Sequence, residues 1–164
     1  MLGSGEQEKI RNVIKVDWSI YLAFCSAIVM YTFVVFLVVG KSSSEPGEAG
    51  ALKNLFIAIS IGAGVAKFWV QNRLLYEEAA YMKCQSLDEI ITKYRGYNFI
   101  ILGVSEVPAL LGLIITFMTR RLEEWWLFFG ISAVLYATSA PRQSKLESIA
   151  EAHLIRSPGV SGSK

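Results

Sequence analysis

Glu106 is a carboxylate in the middle of a long apolar segment. It is the tenth residue of the run Tyr97–Met118, and Pro108 follows it two residues later. A run of about 20 apolar residues can cross a bilayer, and an ionisable group near the centre of such a run is energetically costly. In a low-dielectric medium a carboxyl group is easily kept neutral, and it can ionise where water or a cation reaches it. Glu106 is therefore a candidate site for a proton or a monovalent cation.

The alternative for Glu106 is a structural polar contact between helices, either as a protonated, hydrogen-bonded carboxyl group or as an ion pair with Lys67. Lys67 lies near the end of the preceding apolar segment. Helical side chains lean towards the N-terminus of their own helix, so on antiparallel helices Lys67 and Glu106 lean towards each other. A buried ion pair of this kind would fix the register of two helices and add little net stability. Lys67 could instead extend to the lipid headgroups. Pro108 predicts a kink, because it leaves the carbonyl of Val104 without a helical donor.

The elements that position these residues are predicted to be membrane helices. The chain has 164 residues, of which 53% are hydrophobic, and a mean hydropathy of +0.42. Its apolar residues fall into four segments, at residues 18–39, 52–70, 97–118 and 125–140. The first three are long enough and apolar enough to span a bilayer. The fourth is equally apolar but shorter. The predicted fold is therefore all-α, a single membrane domain with four transmembrane helices.

The second and third segments are predicted to form a long central hairpin. Helix-forming residues continue beyond residue 70, and Ser86 with Glu89 forms a capping box that starts a helix at Leu87. Residues 71–96 would then be a helical loop outside the membrane. Each arm carries small residues at spacings of three or four, which predicts close helix packing: Ala58, Gly62 and Ala66 on the first arm, and Ser105, Ala109 and Gly112 on the second.

The distribution of Lys and Arg gives an orientation. Eleven lie in the N-terminal segment, the loop at residues 71–96 and the C-terminal tail, whereas four lie towards the other side, at Lys41, Lys53, Arg120 and Arg121. By the positive-inside rule, both termini and the loop at residues 71–96 are cytoplasmic. The predicted location is the cell inner membrane, with several passes.

The remaining segments have simpler predictions. Residues 41–50 are a turn-rich linker, and residues 157–164 are predicted to be disordered. Residues 143–154 have the spacing of an amphipathic surface helix, which could lie on the membrane or on the projecting hairpin. Its apolar face consists of Leu146, Ile149, Ala150, His153 and Leu154.

The central hairpin resembles the proteolipid c subunit of rotary ATP synthases and vacuolar-type ATPases. The similar part is residues 61–118, which contain IGAGVAKF, KYRGYNFIILGVSE and EVPALLGLIITFM. The resemblance is to a small four-span bacterial member of that superfamily, and it implies that Glu106 is an ion-binding carboxylate. This sequence differs from the two-helix form by its flanking spans, by Pro108, and by Lys67, Phe68 and Trp69 after a short glycine pair.

Three functions follow from these patterns. The first is a structural or accessory membrane subunit that packs as a homo-oligomer or in a larger complex. The second is a proteolipid that moves protons or ions by means of Glu106. The third is a membrane regulator that docks a soluble partner through residues 71–96 and 141–156. The sequence has no nucleophile paired with a base, no cluster with the spacing of metal ligands, and no phosphate-binding loop. We therefore expect no enzymatic activity, cofactor or metal. The net charge of +2 is too small to indicate a nucleic-acid partner.

Overall fold

The computed structural model describes residues 3–39 and 50–156, with side chains described as far as residue 152. The linker predicted at residues 41–50, apart from its last residue, and the tail predicted at 157–164 lie outside the described residues. The described chain is helical and contains no strand, which confirms the predicted all-α fold. Its α-helices are α1 (Ser4–Val39), α2 (Gly50–Val70), α3 (Leu87–Thr119), α4 (Leu122–Ala137) and α5 (Gln143–Arg156).

Helix α3 is the centre of the bundle and contacts α1, α2 and α4. Helices α1 and α3 run in the same direction, because contacts between them follow one order along both: Asp17 with Arg95, Phe24 with Phe99, and Tyr31 with Glu106. Helices α2 and α4 also run parallel to each other and antiparallel to α3. Lys53 and Lys67 of α2 contact Glu124 and Thr138 respectively, at the two ends of α4.

Three helical segments are long and apolar enough to cross a membrane. They are Ser4–Val39, Gly50–Leu75 and Leu87–Thr119. Helix α4 occupies most of the predicted fourth span, but it has only 16 residues. At about 1.5 Å per residue it is roughly 24 Å long, less than the roughly 30 Å thickness of a hydrocarbon core. Three of the four predicted spans are therefore long and apolar enough to cross a membrane.

The connection between α2 and α3 is not one continuous α-helical hairpin. Helix α2 gives way to a π-helical turn at Gln71–Leu75 and a short 3-10 helix at Glu78–Tyr81. The predicted start of α3 is confirmed: Ser86 is its N-cap, and the Ser86 hydroxyl accepts a hydrogen bond from the backbone N–H of Glu89 at 3.3 Å. The Glu89 carboxylate accepts from the backbone N–H of Gln85 at 2.7 Å, one residue earlier than in a standard capping box.

One end of the bundle carries a separate small core, which we call the head. It consists of residues 4–17, 71–96 and 143–152. The buried residues of the cluster centred on it include Ile10, Ile14, Leu75, Tyr81, Ile90, Tyr94, Leu146, Ile149 and Ala150. The tail helix therefore packs on the rest of the chain through three of its predicted apolar residues. The side chains of His153 and Leu154 lie outside the described residues. Burial raises the pKa of the Tyr81 hydroxyl, which donates to the carbonyl of Leu75 at 3.1 Å.

Candidate functional site

Glu106 lies at the seam between α3 and α1 and is half-buried. Its Oε1 atom accepts a hydrogen bond from the Tyr31 hydroxyl of α1, with an O–O distance of 2.7 Å. The hydroxyl of Tyr136, from α4, donates to the carbonyl of Leu102 one turn earlier on α3, at 3.3 Å. Glu106 therefore joins α1 to α3 through a hydrogen bond between two side chains.

Lys67 lies in a different part of the bundle. Its side chain is fully buried, and its Nζ donates to the hydroxyl of Thr138, the C-cap residue of α4. Gln71, one turn further on, donates to the Thr138 carbonyl at 3.0 Å and to the Tyr76 hydroxyl at 2.7 Å. The partial negative charge at the C-terminal ends of α2 and α4 favours a cation here. Lys67 thus ties the end of α2 to the end of α4.

The expected ion pair between Lys67 and Glu106 is not formed. The ion pairs of the described residues do not include it, and the two side chains point to different helices. Lys67 is bonded to Thr138, whereas Glu106 is bonded to Tyr31. The lean of the two side chains fixes only their positions along the helix axes. The direction around α3 decides the contact, because Glu106 faces α1 and α2 packs on another side of α3.

The neighbour of Glu106 shows how sharply this direction changes. Ser105 is fully buried, and its hydroxyl lies 3.3 Å from the Ser139 hydroxyl beyond the end of α4. The Ser132 hydroxyl of α4 donates to the Ser105 carbonyl at 2.6 Å. The carbonyls of Leu102 and Ser105, which both accept from α4, lie on either side of Val104 in the chain. The carbonyl of Val104 itself has no helical donor, because Pro108 has no N–H. Helix α3 continues through Pro108 to Thr119.

The two rows of small residues do not pack on each other. On α3, Ser105, Ala109 and Gly112 are buried, and a Cβ at Gly112 would lie 2.5 Å from the Cβ of Phe128 in α4. On α2, by contrast, Ala58, Gly62 and Ala66 are exposed, and a Cβ at Gly62 would meet nothing within 4 Å. The α3 row accommodates α4, while the α2 row faces outwards.

Two of the ion pairs, none of which was predicted from the sequence, involve a buried carboxylate. Lys53 of α2 lies 3.0 Å from the Oε2 atom of Glu124, whose side chain is 8% exposed. Asp17 of α1 is 2% exposed and accepts a hydrogen bond from the Nε of Arg95 at 3.2 Å. Both carboxylates lie at the edge of an apolar segment, and that position was the available signal. Their partners are 71 and 78 residues away in the chain.

The described residues contain no group of three or more His, Cys, Asp or Glu side chains that could hold a metal ion. Comparison of the chain with models of known protein families, with curated proteins and with solved structures finds no match. The resemblance of residues 61–118 to a proteolipid c subunit therefore stays a prediction. Glu106, Lys67 and the two buried carboxylates of Asp17 and Glu124 each contact a neighbouring helix.

Proposed function

We propose that this chain is a multi-pass membrane protein, a structural or accessory subunit that self-associates through the outward face of α2. The observation that carries the proposal is the exposed row of Ala58, Gly62 and Ala66. In a bilayer, small residues at intervals of four let two helix backbones approach closely and gain packing energy. Larger exposed apolar side chains lie beside this row, and they include Leu55, Ile59, Val65 and Trp69.

The burial of α2 supports an interface on this helix. In the most apolar window of the α2 segment 11% of residues are buried, against 44% in α3. Helix α1 is also peripheral, with 17%. Its outward face, however, carries large side chains such as Leu22, Met30 and Phe33, which suit contact with lipid tails. Helix α1 exposes small residues too, at Ser19, Ala23 and Ser26, but the α2 row keeps a regular spacing of four and has a glycine at its centre.

The head supports the proposed orientation in the inner membrane. It gathers residues 4–17, 71–96 and 143–152 at one end of the bundle. These segments contain eight of the 16 Lys and Arg residues of the chain, against four at positions 41, 53, 120 and 121, so this end is the cytoplasmic one by the positive-inside rule. Leu146, Ile149 and Ala150 of the tail helix are buried in the chain, and this observation disfavours the alternative in which the tail docks a soluble partner.

The test is the mass of the purified protein in detergent and in lipid nanodiscs. We expect an oligomer for the unmodified chain, and Gly62→Leu should weaken the association at least about tenfold by blocking close approach of the backbones. Gly130→Leu is the matched control, because Gly130 is also exposed and a Cβ there also meets nothing within 4 Å. A monomeric unmodified chain, or equal effects of the two variants, would refute the proposal.

A second candidate function is proton or cation binding by Glu106. The observation that favours it is a half-buried carboxylate in an apolar segment whose partner is a neutral hydroxyl, that of Tyr31. A carbodiimide that attacks protonated carboxyls should modify Glu106 more at low pH than at high pH. Tyr31→Phe should increase the labelling by releasing Oε1, and Glu106→Gln should abolish it at this position. Labelling of Glu106 that does not depend on pH would count against this candidate.

A further inference from the structure

A pocket of about 300 Å³ lies between α1 and α3, next to the head. Its polar wall consists of Asp17, Arg95 and Asn98, and its apolar wall of Ile20, Phe99 and Leu102. Gly96 lines it too, and a Cβ at this position would meet nothing within 4 Å. The pocket is therefore open beside Gly96, and its volume lies at the small end of the range for ligand sites, about 300 to 1,000 Å³.

One oxygen of Asp17 lacks a donor among the residues that the structure describes. Its Oδ1 atom accepts from Arg95, whereas its Oδ2 atom is buried and has no hydrogen-bond partner within this part of the chain. A buried carboxylate oxygen without a donor is costly, and most such atoms in proteins have one. Oδ2 is closed to solvent in the structure, so a ligand N–H group supplies the missing donor when the Asp17 carboxylate turns towards the pocket that this residue lines. An ammonium group is the strongest donor of this kind, because its hydrogen bond to a carboxylate is charge-assisted.

Arg95 offers the complementary half of a site. Its Nε is bonded to Asp17, and its side chain is 42% exposed. Within the described part of the chain, its other two guanidinium nitrogens make no ion pair. A guanidinium group presents its donors in a fork that matches the oxygens of a phosphate. Because Asp17 balances the charge of Arg95, the pocket favours a ligand that carries both charges over one that is only anionic.

The position of the pocket indicates a lipid. Asp17 immediately precedes Trp18, where the apolar segment of α1 begins, and Arg95 lies just before Tyr97, where that of α3 begins. Trp18 is 41% exposed, as expected of an aromatic residue at a membrane interface. Ile20, Phe99 and Leu102 follow the charged residues in both helices, so the apolar wall lies on the side of the apolar segments, where an acyl chain can contact it.

We propose that this pocket binds the headgroup of a zwitterionic phospholipid with a primary amine, as in phosphatidylethanolamine. The ammonium group donates to Oδ2 of Asp17, the phosphate accepts from the free nitrogens of Arg95, and an acyl chain packs on Ile20, Phe99 and Leu102. The proposal rests on the membrane placement of α1 and α3 but not on self-association through α2. Its site lies on different residues from those tested by Gly62→Leu.

The experiment measures lipid retention by native mass spectrometry of the detergent-purified full chain. Phosphatidylethanolamine should bind about tenfold more tightly than phosphatidylcholine, whose quaternary ammonium has no N–H to donate. Asp17→Asn should remove this difference and shift the preference towards phosphatidylglycerol, since Arg95 then loses its counter-charge. The matched control is Asp88→Asn, which removes an exposed carboxylate paired with Lys9 in the same head, and it should leave the preference unchanged.

A second variant keeps the proposal testable if Asp17→Asn does not fold. Gly96→Leu leaves the ion pair intact and fills the open side of the pocket, so it should reduce retention of phosphatidylethanolamine to the level of phosphatidylcholine. Equal retention of all three lipids by the unmodified chain would overturn the proposal. Soluble phosphoethanolamine that displaces the lipid completely at equal concentration would overturn it as well, because the site would then be for a soluble ligand.

Discussion

Replacing Gly112 by Val is expected to lower the free energy of unfolding by about 3 kcal/mol, at the upper end of the cost of overpacking a core. A Cβ at this position would lie 2.5 Å from the Cβ of Phe128. Both atoms are attached directly to a helix backbone, so no side-chain rotation can separate them. Helices α3 and α4 would have to move apart, and their contact would be lost over several turns.

The control for this prediction is Gly103→Val in the same helix. A Cβ at Gly103 would meet nothing within 4 Å, and the residue is only half-buried. Helix propensity differs little between Gly and Val, so it contributes little to either variant. The measurement is unfolding of the purified protein in mixed detergent micelles, followed by circular dichroism. Equal stabilities of the two variants would show that α3 and α4 do not approach closely at Gly112.

Lys53→Met, which removes the amine of Lys53, is expected to lower the free energy of unfolding by about 2 kcal/mol. The Lys53 amine lies 3.0 Å and 3.1 Å from the two carboxylate oxygens of Glu124, whose side chain is 8% exposed. Without it, a nearly buried carboxylate has no cation. The side chain of Lys53 is 38% exposed, so water screens the pair in part and the loss is smaller than for a fully buried pair.

The double variant Lys53→Met with Glu124→Leu separates the value of the pair from the cost of breaking it. Replacing both charges of a buried pair by apolar groups is often neutral, so we expect the double variant to lose less than about 1 kcal/mol. Part of that loss comes from removing an anion from the first turn of α4. A double variant less stable than Lys53→Met alone would contradict this account. The same unfolding measurement in mixed micelles decides the matter.

The helical nature of the chain and several helix boundaries could be predicted from the sequence, because their causes are local. The Ser86 cap needs only residues up to Glu89, and the length of an apolar run needs only its own composition. The apolar residues of the tail were likewise identified from their helical spacing. Leu146, Ile149 and Ala150 are buried as that spacing implies.

The partners of the polar side chains could not be predicted in the same way. The positions of Lys67 and Glu106 along antiparallel helices suggested that the two side chains meet. Each is instead hydrogen-bonded to a residue about 70 or more positions away in the chain. A contact between helices depends on which neighbour lies on each side, and residues that are adjacent on a helix differ in direction by about 100°. Ser105 faces α4 and Glu106 faces α1 for this reason.

The sequence by itself determined that the chain is helical, that apolar helices carry isolated charges, and that two of the helices have rows of small residues. Only the tertiary structure decided how these features are used. The row on α3 is filled by Phe128 of α4, while the row on α2 faces outwards, and Glu106 is held by Tyr31. The physical reason is that apolar periodicity and capping act within one helix. The choice of neighbour depends on the packing of all the helices together.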